Sequence, residues 1–152
     1  MRKYVIALIV LAATPAMGGQ FEYSAKFACG RASGDVVKSF ATSPGVYYTT
    51  ISVANPNADT VKGRTRFMMS RSMTSEQPTK PTDWSAGPMA ALQIDCGTIY
   101  KYFGVEPGKF MEGFVFLDGG PTRFQVAATY SLFDGNYPAS IDVKHLVPRL
   151  QP

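Results

Sequence analysis

Apolar and polar side chains alternate along much of this chain, and the alternation is cleanest in residues 21–29. Every second residue there is apolar or a cysteine, and these positions share one face of an extended chain: Phe21, Tyr23, Ala25, Phe27 and Cys29. The other face carries Glu22, Ser24 and Lys26. A period of two residues over this length predicts a β-strand with one buried face.

The same kind of pattern, rich in β-branched and aromatic residues, predicts further strands along the chain. Their predicted ranges are 36–41, 46–54, 60–70, 89–96, 109–117, 122–133 and 140–147. Residues 97–104 fit either a short helix or an aromatic strand. Turn residues separate 46–54 from 60–70 and 109–117 from 122–133, so we predict that each of these two pairs forms a hairpin.

Seven or eight short strands with regular turns predict a single all-β domain, an antiparallel and immunoglobulin-like β-sandwich over residues 19–152. No internal repeat and no second domain is apparent. The expected core is Phe27, Val53, Phe67, Ile94, Phe114, Phe116, Val126, Tyr130 and Val143.

Residues 1–18 have the organisation of a secretory signal peptide. Arg2 and Lys3 precede the apolar run 5–13, and Ala16 and Gly18 stand at the −3 and −1 positions for cleavage before Gly19. The apolar run is shorter than the roughly 18 residues of a membrane span, so we expect no membrane insertion after cleavage. The predicted location is the periplasm or the extracellular space.

Loss of Arg2 and Lys3 on cleavage lowers the formal charge from +4 to +2. So weak a charge gives no reason to expect a nucleic-acid partner. Lys62, Arg64 and Arg66 do share one face of a predicted strand. We favour a solvated strand face for them, and the alternative is a contact with an anionic surface polymer.

The exported part of the chain contains two cysteines, Cys29 and Cys96. An even number of cysteines in an oxidising compartment predicts one disulfide. Because the enclosed loop is long, the chain-entropy estimate of its contribution is about 4 kcal/mol. A redox pair is the weaker alternative, since the chain has no C-x-x-C motif.

Chemistry-bearing motifs are absent, so we predict no enzyme activity, no catalytic residue, no cofactor and no metal site. The only histidine, His145, belongs to the last predicted strand and is expected to be half-buried beside Val143 and Val147. Asp95 could serve as an acid, but no second carboxylate stands at a known catalytic spacing from it.

Exposed aromatic rings are the remaining candidates for ligand binding, namely Trp84, Tyr100 and Tyr102. Trp84 is the only tryptophan, and it lies in the Pro-rich segment 72–88, which we predict to be a long loop. A lone tryptophan in a loop folds back onto a sheet more often than it forms a ligand platform. We therefore favour a Trp84 ring that packs back onto the sheet, and we keep the ligand platform as the alternative.

Five blocks of the sequence resemble a family of small exported bacterial β-proteins that carries A-K-F-x-C-G, N-P, I-D-C and G-F-V blocks. The matching segments are SAKFACG (24–30), GVYYTTISVANPN (45–57), LQIDCGTIY (92–100), EGFVFL (112–117) and SIDVKHLVPR (140–149). The resemblance implies that the Cys29 and Cys96 blocks belong together and that the domain stands alone after export. It implies no active site, and the segment 72–88 matches none of the blocks.

These observations favour an exported, non-enzymatic β-sandwich that binds a protein partner or a cell-surface polymer. One alternative is a pilus or coat subunit that exchanges the strand 21–29 between copies. Cys29 would tether that strand to its own domain, which makes this alternative weaker. A small secreted hydrolase is the second alternative. The sequence does not predict an oligomeric state.

Overall fold

A computed structural model describes residues 20–40, 42–70, 77–135 and 137–151. The predicted signal peptide at 1–18 lies outside the described residues. The described chain forms nine strands and two helices, in the order β1 (Gln20–Ala32), α1 (Asp35–Phe40), β2 (Gly45–Ala54), β3 (Val61–Met69), β4 (Thr82–Ala86), β5 (Ala91–Asp95), α2 (Cys96–Phe103), β6 (Met111–Asp118), β7 (Gln125–Asp134), β8 (Tyr137–His145) and β9 (Arg149–Gln151).

The strands form one curled antiparallel sheet with the order β4-β3-β6-β1-β2-β7-β8, and the curl makes a half-barrel. β5 pairs with β2, and β9 pairs with β1. The long strand β1 joins the two halves: residues 22–29 pair with β6, and residues 30–32 pair with β2. The prediction of an antiparallel all-β chain is confirmed. The predicted immunoglobulin-like sandwich is not clearly formed, because β1 belongs to both halves of one sheet.

Both predicted hairpins are wrong. β2 pairs with β1, β5 and β7, whereas β3 pairs with β4 and β6. In the same way β6 pairs with β1 and β3, while β7 pairs with β2 and β8. The turns after β2 and after β6 therefore carry the chain from one half of the sheet to the other.

A buried amide organises the first of these crossings. The side chain of Asn55 is 2% exposed, and its Nδ2 donates to the carbonyls of Asp59, Ala86 and Gly87 at 2.7, 3.0 and 2.8 Å. Its Oδ1 accepts from the backbone N–H of Asn57 at 3.0 Å. Asn55 thus links the segment after β2 to the end of β4. The chain then continues into β3, which belongs to the other half of the sheet.

Two elements differ from the predicted ones, and one open alternative is settled. Residues 36–41, predicted as a strand, form helix α1 over Asp35–Phe40, because β1 and β2 pair directly and leave no strand edge for this short connection. Of the two alternatives for residues 97–104, the helix is observed: α2 is followed by its C-cap Gly104, which has φ 64°. Residues 72–76 of the predicted loop lie outside the described residues, and the described part, 77–88, contains strand β4. β4 and the short β9 raise the number of described strands to nine.

The core lies inside the curl and follows the predicted face of β1. Phe27, Val53, Phe67, Ile94 and Val126 are buried as predicted. Four predicted core residues are not buried: Phe114, Phe116 and Tyr130 are half-buried and Val143 is 54% exposed.

In β6 the buried face is the opposite one, formed by Met111, Val115 and Leu117. The run Phe114–Leu117 is apolar throughout, so its period does not identify the inward face.

The predicted disulfide joins Cys29 of β1 to Cys96 at the start of α2, with Cα atoms 5.6 Å apart. Both half-cystines are buried in the core. Because β5 immediately precedes Cys96, the bond links the two halves of the curled sheet close to the point where β1 passes from one to the other.

Candidate functional site

The basic face predicted on β3 exists, but most of its charge is neutralised. Arg64 forms an ion pair with Asp118 of β6 at 3.0 Å, and Arg66 forms one with Glu22 of β1 at 2.9 Å. Alternation along β3 turns these arginines away from the core because Thr65 and Phe67 point inward. Exposed ion pairs of this kind add at most about 1 kcal/mol each to the free energy of unfolding. We therefore expect them to hold the charged groups in place and not to stabilise the fold.

Trp84 is half-buried at the centre of β4. In the strand register it stands opposite Gly63, whose missing side chain leaves room for the indole: a Cβ there would lie 2.5 Å from the ring. The ring also packs edge-on against Phe124, with centroids 5.1 Å apart. The ring of Trp84 therefore packs on the sheet in part, as predicted, but Trp84 belongs to a strand and not to a loop.

Two cavities open along β3 beside Trp84. The first has a volume of about 580 Å³ and is lined by Trp84, Gly63 and the flanking polar residues Lys62, Asp83 and Ser85. The second has a volume of about 340 Å³ and reaches Glu22 and Arg66. The two cavities share three lining residues, Gln20, Arg64 and Asp118. We call these two adjoining cavities together the outer groove.

The charges that line the outer groove are balanced. Three are cationic and three are anionic: Lys62, Arg64, Arg66, Glu22, Asp83 and Asp118. Asp118 also accepts the backbone N–H of Gly120 at 3.0 Å, which fixes its carboxylate. Within the described residues, four polar side chains of the groove form no side-chain hydrogen bond and are available to a ligand: Gln20, Lys62, Asp83 and Ser85.

Tyr100 and Tyr102, the other two predicted ligand-binding residues, line neither part of the outer groove. Tyr100 is 6% exposed, and its hydroxyl donates to the carbonyl of Lys109 at 3.0 Å, so it supports the core instead of presenting a ring to solvent. Tyr102 packs on Phe67 with ring centroids 4.3 Å apart, and its hydroxyl donates to the carbonyl of Lys80. Tyr102 therefore anchors the segment from which β4 and Trp84 start.

A third cavity, of about 720 Å³, contains His145 together with Arg123 and Asn57. His145 is exposed, so its predicted half-buried position is wrong; both neighbours on which the prediction relied, Val143 and Val147, are exposed as well. Asn57 fixes one wall by donating to the carbonyl of Arg123 at 2.9 Å. No carboxylate among the described residues lines this cavity, so no acid–base pair is present there.

Asp95 has a structural role. Its Oδ1 accepts from the backbone N–H of Thr98 at 2.8 Å and from the Thr98 hydroxyl at 2.9 Å, which makes it the N-cap of α2. These hydrogen bonds, the backbone one first, hold the pKa of the Asp95 carboxyl below its ordinary value. Burial, and then the neighbouring Asp95 carboxylate, raise the pKa of Tyr48.

No group of three or more His, Cys, Asp or Glu side chains that could hold a metal ion occurs in the part of the chain that the structure describes. Neither helix α1 nor α2, the helices of the described residues, has the length or apolar character that a membrane span requires.

Comparison with known proteins identifies a fold and not a family. No protein-family model and no curated protein matches the sequence. The crystal structure of Thermotoga maritima 1070 resembles this chain with a TM-score of 0.52 and 11% identity, covering 87% of this chain and 95% of that one. At so low an identity the likeness concerns the fold alone. The family suggested by the five sequence blocks stays a prediction.

The sequence indicated Trp84 but not the residues around it. Asp83 and Ser85 alternate with Trp84 in the segment TDWSA, which is the pattern of a strand with a polar outer face. The prolines on either side obscured that pattern and favoured a loop. Asp118 and Gln20 reach the groove only through the sheet order β3-β6-β1, which the sequence does not reveal.

Proposed function

We propose that the chain is exported and acts as a non-enzymatic binding protein, and that its outer groove holds a segment of a neutral or zwitterionic cell-surface polymer. The observation that carries the proposal is a groove of balanced charge, which Trp84 lines between the hydrogen-bonding side chains of Asp83 and Ser85. Hydrogen-bonding groups beside an aromatic residue suit the hydroxyl groups and apolar faces of a sugar.

The balance of charge selects the class of polymer. A polyanion such as nucleic acid requires a basic surface with unpaired charge. In the outer groove the guanidinium groups of Arg64 and Arg66 are already bound by carboxylates, and Asp83 adds a further negative charge. A ligand without net charge gains hydrogen bonds there and meets no repulsion.

The outer groove consists of two adjoining cavities, and this extent supports a polymer over a compact metabolite. The two cavities meet at Gln20, Arg64 and Asp118 and extend from β4 towards β9. A chain-like ligand can contact Trp84 at one end and Glu22 or Gln151 at the other. Binding along a preformed groove costs little reorganisation of the protein.

Neither alternative function gains a supporting observation. Exchange of β1, the basis of the subunit alternative, would break its pairing with β6 over residues 22–29 and would leave Cys29 tethered. For the hydrolase alternative, Asp95 is engaged as a helix cap, and His145 lies in a different cavity. The absence of enzyme activity remains part of the proposal.

Calorimetric titration of the oxidised protein with soluble envelope polysaccharides tests the proposal. We expect saturable binding of a neutral or zwitterionic polymer and none of a sulfated polyanion. Trp84→Leu removes the ring and should weaken binding about tenfold or more, which corresponds to ~1.4 kcal/mol. Tyr137→Leu is the matched control, because Tyr137 is an exposed aromatic residue that does not line the groove.

Asp83→Asn is a second variant of the groove, chosen because Asp83 is exposed and its loss does not disturb the core. This substitution should weaken binding of the neutral ligand and leave the fold intact. Preferential binding of the polyanion, or equal binding by wild type and both groove variants, would overturn the proposed site.

A further inference from the structure

Strand β8 is the last strand of the sheet that the described residues form, and among them its outer edge is free. It pairs with β7 and with no other described strand, and all nine of its residues are exposed. Three large apolar side chains on it face solvent: Tyr137 is 80% exposed, Ile141 62% and Val143 54%. A long edge strand with apolar side chains readily pairs with another strand unless something blocks it.

The hydrogen bonds to β7 determine which backbone groups face the free edge. The backbone N–H of Leu146 donates to the carbonyl of Val126 at 2.9 Å. In an antiparallel pair, hydrogen-bonded positions recur every second residue, so the even-numbered residues of β8 bond to β7. The N–H and C=O groups of Ile141, Val143 and His145 therefore point outward, to the free edge.

We propose that β8 pairs with β8 of a second copy, antiparallel about a twofold axis at Val143. Val143 then stands opposite Val143 of the second copy, and Ile141 stands opposite His145. The outward backbone groups of these three residues meet as hydrogen-bonded pairs. The two half-barrels become parts of one continuous sheet, and the contact is closed and isologous.

Charge complementarity identifies a second copy as the occupant. With the axis at Val143, Asp142 of each copy stands opposite Lys144 of the other. These are non-hydrogen-bonded pairs, in which the Cα atoms approach to about 4.5 Å. With the axis at Ile141, Asp142 would face Ser140, and Lys144 would gain no acidic partner.

Within one chain these two side chains already lie near each other, with Lys144 Nζ 3.6 Å from Asp142 Oδ2, and both are more than half exposed. An edge lysine normally prevents strand pairing, because its charge is left without a partner in the new sheet. Here the same strand supplies the acid in the matching position. Lys144 therefore disfavours pairing with other strands but does not disfavour pairing with a second β8.

The contact is small. Five residues of each strand bury less than the roughly 1,200–2,000 Å² of a stable interface, so we expect a dimer that forms only at high concentration. Sedimentation of the oxidised protein, expressed as the full chain under oxidising conditions, should show a monomer–dimer equilibrium up to about 1 mM, with no larger species.

Charge reversal tests the register. Asp142→Lys or Lys144→Asp alone places like charges opposite each other twice, and each should raise the dimer dissociation constant about tenfold or more. The double variant Asp142→Lys/Lys144→Asp restores both opposite-charge pairs and should dimerise like the wild type. An equimolar mixture of the two single variants should form the mixed dimer.

Three results would overturn the proposal: a wild type that stays monomeric at 1 mM, a dimer that the single reversals leave unchanged, or growth into polymers. Amide exchange gives a second measurement that is independent of the variants. The outward N–H of Val143 should become protected as concentration rises. Unchanged exchange in a sample that is dimeric would mean that the dimer uses another surface.

Discussion

At the scale of single residues, the structure depends on a few buried polar groups with complete hydrogen bonding. Asn55 satisfies three backbone carbonyls where the chain crosses from β2 to β3. Composition marked the N-P segment as a turn, which is correct. The sequence could not reveal that this turn is a crossing, because two of the three carbonyls that Asn55 binds, those of Ala86 and Gly87, belong to residues about thirty positions away.

Asn55→Ala should lower the free energy of unfolding by about 2–4 kcal/mol, since buried carbonyls lose their donors. Urea denaturation followed by fluorescence measures the change. Asn57→Ala is the control, because Asn57 is half-buried, and it should cost less. A loss below about 0.5 kcal/mol for Asn55→Ala would mean that other contacts hold the crossing.

At the scale of elements, alternation predicted a buried face only where polar residues marked the opposite face. The inward face of β1 was predicted correctly on this basis. β6 offers no such contrast between residues 114 and 117, so Phe114 and Phe116 were assigned to the core while Val115 and Leu117 fill it. The strand pairing could not be predicted for a different reason, because neighbouring strands in the sequence are not neighbours in the sheet.

Helix α2 begins at a charged cap, and its stability should depend on pH. The pKa of Asp95 is lowered in the folded chain, so its contribution is complete above its ordinary value of 3.8 and is lost as pH falls through the lowered pKa. Asp95→Ala should cost about 1 kcal/mol at pH 7. The difference from wild type should shrink when denaturation is repeated below pH 3.8, the ordinary value. A difference independent of pH would contradict the ionised cap.

At the scale of the whole molecule, one covalent bond links the two halves of the curled sheet. The sequence predicted the Cys29–Cys96 bond from compartment and count alone, and the structure confirms it. The half-barrel itself was not predictable, because strand patterns do not distinguish a sandwich from a curled single sheet.

Reduction of the disulfide should lower the free energy of unfolding by about 4 kcal/mol, as expected for a loop that closes over 67 residues. Denaturation with and without a reductant measures the loss. The double variant Cys29→Ala/Cys96→Ala serves as control, since it should be insensitive to the reductant. Equal stability of the oxidised and reduced protein would show that packing alone holds the two halves together.

The most direct test of the proposed function uses Trp84 as its own reporter, because it is the only tryptophan of the chain. The oxidised protein is titrated with a neutral envelope polysaccharide at low and high salt while tryptophan fluorescence is followed. We predict a saturable shift with the same midpoint at both salt concentrations, since the groove carries balanced charge. No shift, or a shift that appears only with a polyanion at low salt, would contradict the assignment of the outer groove as the binding site.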